Sequence, residues 1–243
     1  MNRIRNQRAL AGLRDQIRQI EGVGEAAGHP VLPLGIPAID EALPEGGLPL
    51  GGVHEVRGPG AVSGSGAATG FCAALLARLA AQDGRPVLWL SRGEDLYLPG
   101  LMRFGLRPGP LLTVSRIAKQ ADMLWAMEEA LRCTALCAVV AEIRDADFTA
   151  SRRVQLAAET AGVTGFLLSE GTGAGASTAL TRWQVRAAPS LPTGLPGVGM
   201  PVWQVDLLRC RAGRPGSWSV IWDEGGWSAL EPMPRQAALS LVG

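Results

Sequence analysis

Three short runs of apolar residues without polar alternation constrain this chain more than any other feature. Pro86 to Ser91 reads PVLWLS, Leu136 to Ala141 reads LCAVVA, and Val163 to Ser169 reads VTGFLLS. A strand of that kind cannot face water on either side, and a parallel sheet between two helical layers is the arrangement that covers both faces. The intervening segments supply the helices. Thr69 to Gln82 carries Phe71, Leu75, Leu76 and Leu79 on one side; Leu96 to Phe104, Ala121 to Cys133 and Arg152 to Gly162 follow. Alternating strands and helices predict an α/β fold with right-handed crossovers. With 243 residues, 47% hydrophobic and 19% charged, the chain suits one main globular domain and not a disordered one.

The two ends differ from this middle. Residues 3 to 20 predict an amphipathic helix, with Leu10, Leu13, Ile17 and Ile20 at three- and four-residue spacing among Arg3, Arg5, Arg8, Arg14 and Arg18. A Gly- and Ala-rich stretch from Glu21 to Pro30 follows, so residues 1–30 divide off as a helical arm and leash, a candidate partner-docking element. The core is expected over 31–224. Its last third changes character: Leu180 to Arg186 alternates as a half-exposed strand. Prolines 189, 192, 196 and 201 make a loop, and Val202 to Arg211 with Trp218 to Asp223 predicts a hairpin across Ala212 to Gly216. Residues 225–243 form a tail without a strong period, in which Trp227 is a second candidate partner contact.

No apolar run reaches the ~18 to 20 residues of a membrane span. MNRIRNQRALAGLRDQ lacks the apolar region of a secretory signal, so a cytoplasmic location is expected. Cys72, Cys133, Cys137 and Cys210 are spaced unlike zinc ligands and predict buried thiols. A formal net charge of +1 rules out a general polyanion trap; DNA contact would need a local patch, for which the arm and Arg182, Arg186, Arg209, Arg211 and Arg214 are candidates.

The stretch from Val53 to Ala81 carries the chemistry. A short strand enters a Gly-rich loop, Gly58-Pro59-Gly60 to Gly64-Ser65-Gly66, and a helix follows. That is the phosphate-binding order, in which backbone N–H groups and a helix N-terminus face the ligand. The motif also requires Lys-Ser/Thr after the final glycine. Here Ala67-Ala68-Thr69 follows, and the only lysine in the chain is Lys119. The stretch has the shape of a nucleotide site without its cation. A substitute from within the chain would be Arg57 or Arg92, and one from a neighbouring subunit Arg209 or Arg211.

These strings also carry a resemblance. LGIPAIDEAL…GGLPLGGVHEVRGP is similar to the entry into the RecA ATPase core. Gly47-Leu-Pro-Leu-Gly51, His54-Glu-Val, the lysine-free loop, Val87-Leu-Trp-Leu90 and Leu207-Leu-Arg-Cys-Arg211 resemble the ImuA family of RecA-like accessory proteins in damage-induced mutagenesis. The resemblance implies a RecA-like core, a mostly parallel sheet flanked by helices, with a C-terminal antiparallel hairpin and an N-terminal helical arm. It places Glu142 at the Walker B position and Glu94 near that of the water-activating Glu. The equivalent of the second DNA-binding loop shrinks to Glu170 to Ser177, and basic character is kept at Arg209 and Arg211. It implies an ImuB-like polymerase-family partner, with RecA and an error-prone replicative-type polymerase as further ones, in an SOS-type response that supports translesion synthesis. With the lysine gone, the expectation is a non-catalytic interaction protein without cofactor. ATP binding through a borrowed arginine, at a degenerate loop comprising Gly58, Gly60, Gly64, Gly66 and Thr69, is one alternative; a single-stranded DNA-binding module is another.

Overall fold

The computed structural model describes residues 30–59, 65–144, 148–170, 177–193, 197, 199–223 and 226–230. The predicted arm helix, loop residues Gly60 and Gly64, and residues 231–243 of the tail lie outside these. In chain order the strands and α-helices are β1 (Val31–Leu32), α1 (Pro37–Asp40), β2 (Leu48–Pro49), β3 (Val53–Gly58), α2 (Ser65–Asp83), β4 (Val87–Leu90), α3 (Leu98–Arg103), β5 (Leu111–Val114), α4 (Gln120–Leu131), β6 (Ala138–Ile143), α5 (Phe148–Ala161), β7 (Thr164–Glu170), β8 (Thr181–Leu191), β9 (Met200–Cys210), β10 (Gly216–Asp223) and β11 (Gly226–Leu230).

Nine strands form one sheet in the order β11-β10-β9-β8-β3-β7-β6-β4-β5. The six from β8 to β5 are parallel; β9, β10 and β11 extend it as an antiparallel meander. The three apolar runs become β4, β6 and β7, all inside the parallel part, as strands buried on both faces must be. From β3 the chain steps outward through α2 and α3 to the edge strand β5, then returns through α4 and α5 to β6 and β7. Right-handed crossovers therefore place the outward and return helices on opposite faces. Two hydrophobic clusters record this. One joins α2 to Val56, Trp89, Val140 and Phe166; the other joins α4 and α5 to Val53, Leu90, Val139 and Leu167.

α2 also reaches beyond the parallel strands. Phe71 meets Trp183 and Trp227 at ring-centroid distances of 5.5 Å each, and Phe104 after α3 meets Trp203 at 5.1 Å and Trp222 at 5.3 Å. Gly70 permits this approach: a Cβ there would lie 2.8 Å from Trp203 and 2.9 Å from Phe104. The aromatic packing also explains a departure from the sequence reading. The first part of the segment read as an aperiodic tail forms β11, and Trp227 is buried, its indole N–H donating to the Leu34 carbonyl at 2.6 Å. Cys133 departs as well: it is exposed, because it follows the last turn of α4, whereas Cys72 and Cys137 are buried. Among the described residues no helix is long and apolar enough to cross a membrane.

His54 ties the central strand β3 to its parallel neighbour β8 and to β2. Its Nε2–H donates to the Pro49 carbonyl at 2.9 Å, so Nδ1 accepts from the Thr181 hydroxyl at 2.8 Å; that same oxygen accepts the Trp183 indole N–H at 2.7 Å. The chain of bonds suits a neutral imidazole, and complete burial holds the His54 pKa down to about 4.

Two outcomes are expected. Gly70→Ala should lower stability by about 1–3 kcal/mol through overpacking, seen as a lower urea midpoint at unchanged slope. The unfolded state takes up the His54 proton near pH 6.5 and the folded state only near 4, so the stability this group contributes is intact above 6.5 and lost as pH falls toward 4, by about 3 kcal/mol in all. The difference in unfolding free energy between wild type and His54→Gln, followed from pH 7 to 4, should show that slope.

Candidate functional site

The outward and return halves of the crossover chain leave the sheet on opposite faces, which opens a crevice at the carboxyl ends of the parallel strands. A cleft of about 880 Å³ occupies it. Ala68 and Thr69 come from the first turns of α2, Arg92 to Asp95 from the turn after β4, Glu142 to Arg144 from the end of β6, and Leu168 to Glu170 from the end of β7. An adjoining hollow of about 270 Å³ shares Thr69, Asp95 and Glu142 and continues past Gly66, Gly70 and Tyr97 to Leu101 and Phe104.

Glu142 stands where the crevice opens, and both carboxylate oxygens are engaged. Oε1 accepts the indole N–H of Trp89 at 2.9 Å and Oε2 accepts the backbone N–H of Arg92 at 3.1 Å. Trp89 is completely buried, so this is an internal bond that ties β6 to β4. Burial raises the Glu142 pKa above the ordinary glutamate value, against the two hydrogen bonds that favour its charged form; nearby Asp95 raises it further. Sequence reasoning found Glu142 but not Trp89, whose partner is 53 residues away and adjacent only through the β4–β6 pairing.

Ala67 and Ala68, which stand where the phosphate lysine belongs, are both buried, whereas Thr69 is half-buried and lines the cleft. The two arginines proposed as internal substitutes separate. Arg92 lines the cleft. Arg57 does not: on β3 it shares the face of Val53, on the α4 and α5 side, and its guanidinium pairs with Glu55 at 3.0 Å, its Nε buried without a partner. Burying a pair in this way makes its withdrawal expensive. Glu55 also binds Arg182 of β8 at 2.6 Å. Glu94 lines the cleft but is ion-paired with Arg116 at 2.7 Å.

Of the other basic candidates, Arg182 and Arg209 face each other across β8 and β9, whereas Arg186 lies further along β8. Arg209 lies beside Arg182 and Arg211 beside Leu180, toward the end of β3 where His54 and Glu55 sit and away from the cleft; Arg209 donates to the Ser177 carbonyl at 2.6 Å. Arg186 pairs with Asp206 at 2.7 Å, and Arg214 donates to the Glu41 carbonyl at 3.0 Å. Of the partner candidates, Trp227 is a core residue; Leu10, Leu13, Ile17 and Ile20 lie outside the described residues. Gly58 ends β3 and Gly66 is exposed in the first turn of α2.

Fold and cleft together define an α/β protein with a large, mostly parallel sheet, helices on both faces, a C-terminal antiparallel hairpin, and a ligand-type crevice from which the P-loop lysine is missing. Over 209 residues, 81% of the chain, the sequence is 41% identical to Protein ImuA of Caulobacter vibrioides strain NA1000 / CB15N, covering 85% of that protein, and to the same extent to Protein ImuA of strain ATCC 19089 / CIP 103742 / CB 15. The chain belongs to the ImuA family. No protein-family model matches it.

Glu142→Ala would leave the buried Trp89 N–H without an acceptor, a loss of about 1–3 kcal/mol. Glu142→Gln keeps a carbonyl for one of the two donors and should lose less. Urea unfolding of the two variants should place their midpoints in that order, both below wild type.

Proposed function

We propose that this protein supports damage-induced mutagenesis, the role that ImuA family membership implies, as a non-catalytic interaction protein that assists translesion synthesis in the cytoplasm. Its contacts would be with a polymerase-like protein of the ImuB kind, with RecA and an error-prone replicative-type polymerase as further partners. The observation that carries the non-catalytic reading is the state of Glu142. Phosphoryl transfer depends on cations placed around the terminal phosphate and on a metal held beside it. Here the carboxylate at the metal-binding position serves Trp89 and Arg92, and alanines occupy the place of the lysine.

One observation favours a second reading, nucleotide binding without efficient turnover. Arg92, Arg144 and Thr69 face the same cleft, and an arginine can hold a phosphate bidentately. The two readings separate in one set of measurements. Purified protein should show no ATP consumption that Glu142→Gln abolishes; consumption that this variant abolishes would overturn the non-catalytic reading. Equilibrium dialysis with labelled ATP at millimolar Mg²⁺ should give no saturable uptake. Saturable uptake lost in Arg92→Ala, with no turnover, would establish the second reading instead.

A further inference from the structure

β5 closes one end of the nine-stranded sheet and is paired on one side, with β4. The Val87 N–H donates to the Pro110 carbonyl at 2.8 Å and the Ser91 N–H to the Val114 carbonyl at 2.9 Å. Successive residues of a parallel strand turn their backbone groups to opposite sides, so Thr113 directs its N–H and carbonyl away from β4, without a partner among the described residues. The two faces of β5 also differ. Leu111 packs into the core on the α2 side, whereas on the other face α4 lies mainly over β6 and β4. Leu112 and Val114, two residues apart on that face, are left 50% and 46% exposed beside half-buried Leu88. Trp125 of α4 and Phe148 of α5 are more exposed, at 62% and 55%, yet both stand on helices, away from any unpaired strand. At β5 apolar side chains and unpaired main chain coincide, the combination that an added strand satisfies.

The charge around this edge is positive. From Arg103 to Asp122 the chain carries Arg103, Arg107, Arg116 and Lys119 against Asp122 alone. Arg116 is paired with Glu94, whereas Arg107, in the turn before β5, and Lys119, just before α4, are exposed and have no ion-pair partner among the described residues. The two cations bracket the strand from its ends. Pro110 on one side and left-handed Arg116, at φ 66°, on the other limit the open edge to about the four residues of β5. A second copy of β5 would bring Arg107 against Lys119 in an antiparallel pair and each cation against itself in a parallel one, and like charges facing each other destabilise a pairing. We propose that β5 is a docking edge for an extended segment of another protein, four or five residues long, apolar at alternate positions and carrying carboxylates at both ends. The main chain of that segment bonds the Thr113 N–H and carbonyl and adds a tenth strand to the sheet. Its apolar side chains cover Leu112 and Val114, and its carboxylates meet Arg107 and Lys119. This rests on the reading of the chain as an interaction protein and gives that reading a surface outside the cleft, whose lining includes no residue of β5.

The probe is a fluorescein-labelled peptide, Asp-Glu-Leu-Thr-Val-Thr-Leu-Glu-Asp, titrated with the full-length protein and followed by anisotropy and by hydrogen exchange. Wild type should bind it saturably, and the Thr113 amide should exchange about tenfold more slowly in the complex. Thr113→Pro removes a donor that faces away from β4, a place where an edge strand accepts proline. Its affinity for the peptide should fall about tenfold or more while the urea midpoint stays near that of wild type. Arg107→Glu/Lys119→Glu should weaken binding about as much, and a peptide with lysines at its four acidic positions should bind that variant and not wild type. This exchange of charges decides the matter should Thr113→Pro lose its fold. Absence of saturable binding by wild type, binding that a folded Thr113→Pro leaves intact, or equal binding of the acidic and lysine peptides overturns the proposal. Dimerisation of wild type that Thr113→Pro abolishes overturns it too, since the occupant would then be a second copy. ATP turnover, measured separately, bears on the non-catalytic reading and not on this edge, so the two failures are distinguishable.

Discussion

The structure depends on the burial of aromatic rings between α2 and the antiparallel end of the sheet. Phe71 on α2 touches Trp183 of β8 and Trp227 of β11, and Trp222 of β10 lies 6.1 Å from Trp227. One helix therefore spans the junction between the parallel strands and the meander. Each ring removes a large apolar area from water and prefers tilted or edge-on neighbours, the geometry seen here at interplanar angles from 35° to 79°. Without these contacts, β9 to β11 would be an extension joined to the sheet mainly by backbone hydrogen bonds, with one face unprotected. Gly70 is the local condition for them, since any side chain there would occupy the space of Phe104 and Trp203.

The same packing decides what remains of the nucleotide-site geometry. Strand order and crossover direction produce a crevice at the carboxyl ends whether or not chemistry is retained there. What has changed is the use of the residues at its rim. Glu142 is an internal acceptor for Trp89 and Arg92, Glu94 is taken by Arg116, and Arg57 is committed to Glu55 on the other face of β3. Each of these three side chains has a partner within the protein, the expected arrangement for the buried Arg57–Glu55 pair and the half-buried Glu142 in particular. Among its described lining residues the crevice has four carboxylates against two guanidiniums.

The arginines make the same point for nucleic acid. A stretch rich in arginine suggests a basic face, yet Arg182, Arg186, Arg209 and Arg214 turn to Glu55, Asp206, Ser177 and Glu41. Arg209 and Arg211 end up toward the opposite end of β3 from the crevice, a separation of about 10 Å or more along the strand. No spacing in the sequence conveys this, because it follows from how β8 pairs with β9, through a register shift between Arg182 and Trp183.

By itself the sequence determined the layered α/β architecture, the parallel core and the hairpin, since uninterrupted apolar strands have only one environment that covers both faces. It also determined that a strand, a Gly-rich loop and a helix stand at the centre without the lysine of a P-loop, because presence or absence of a residue is legible directly. The tertiary structure alone decided that Trp227 is core, that Glu142 is held by Trp89 and Arg92, that Arg92 and not Arg57 faces the cleft, and that exposed Asp95 and Tyr97 stand together at its mouth. Those facts depend on which strand lies next to which and on which face each side chain takes. A one-residue change of register reverses every such assignment, and no local pattern records it.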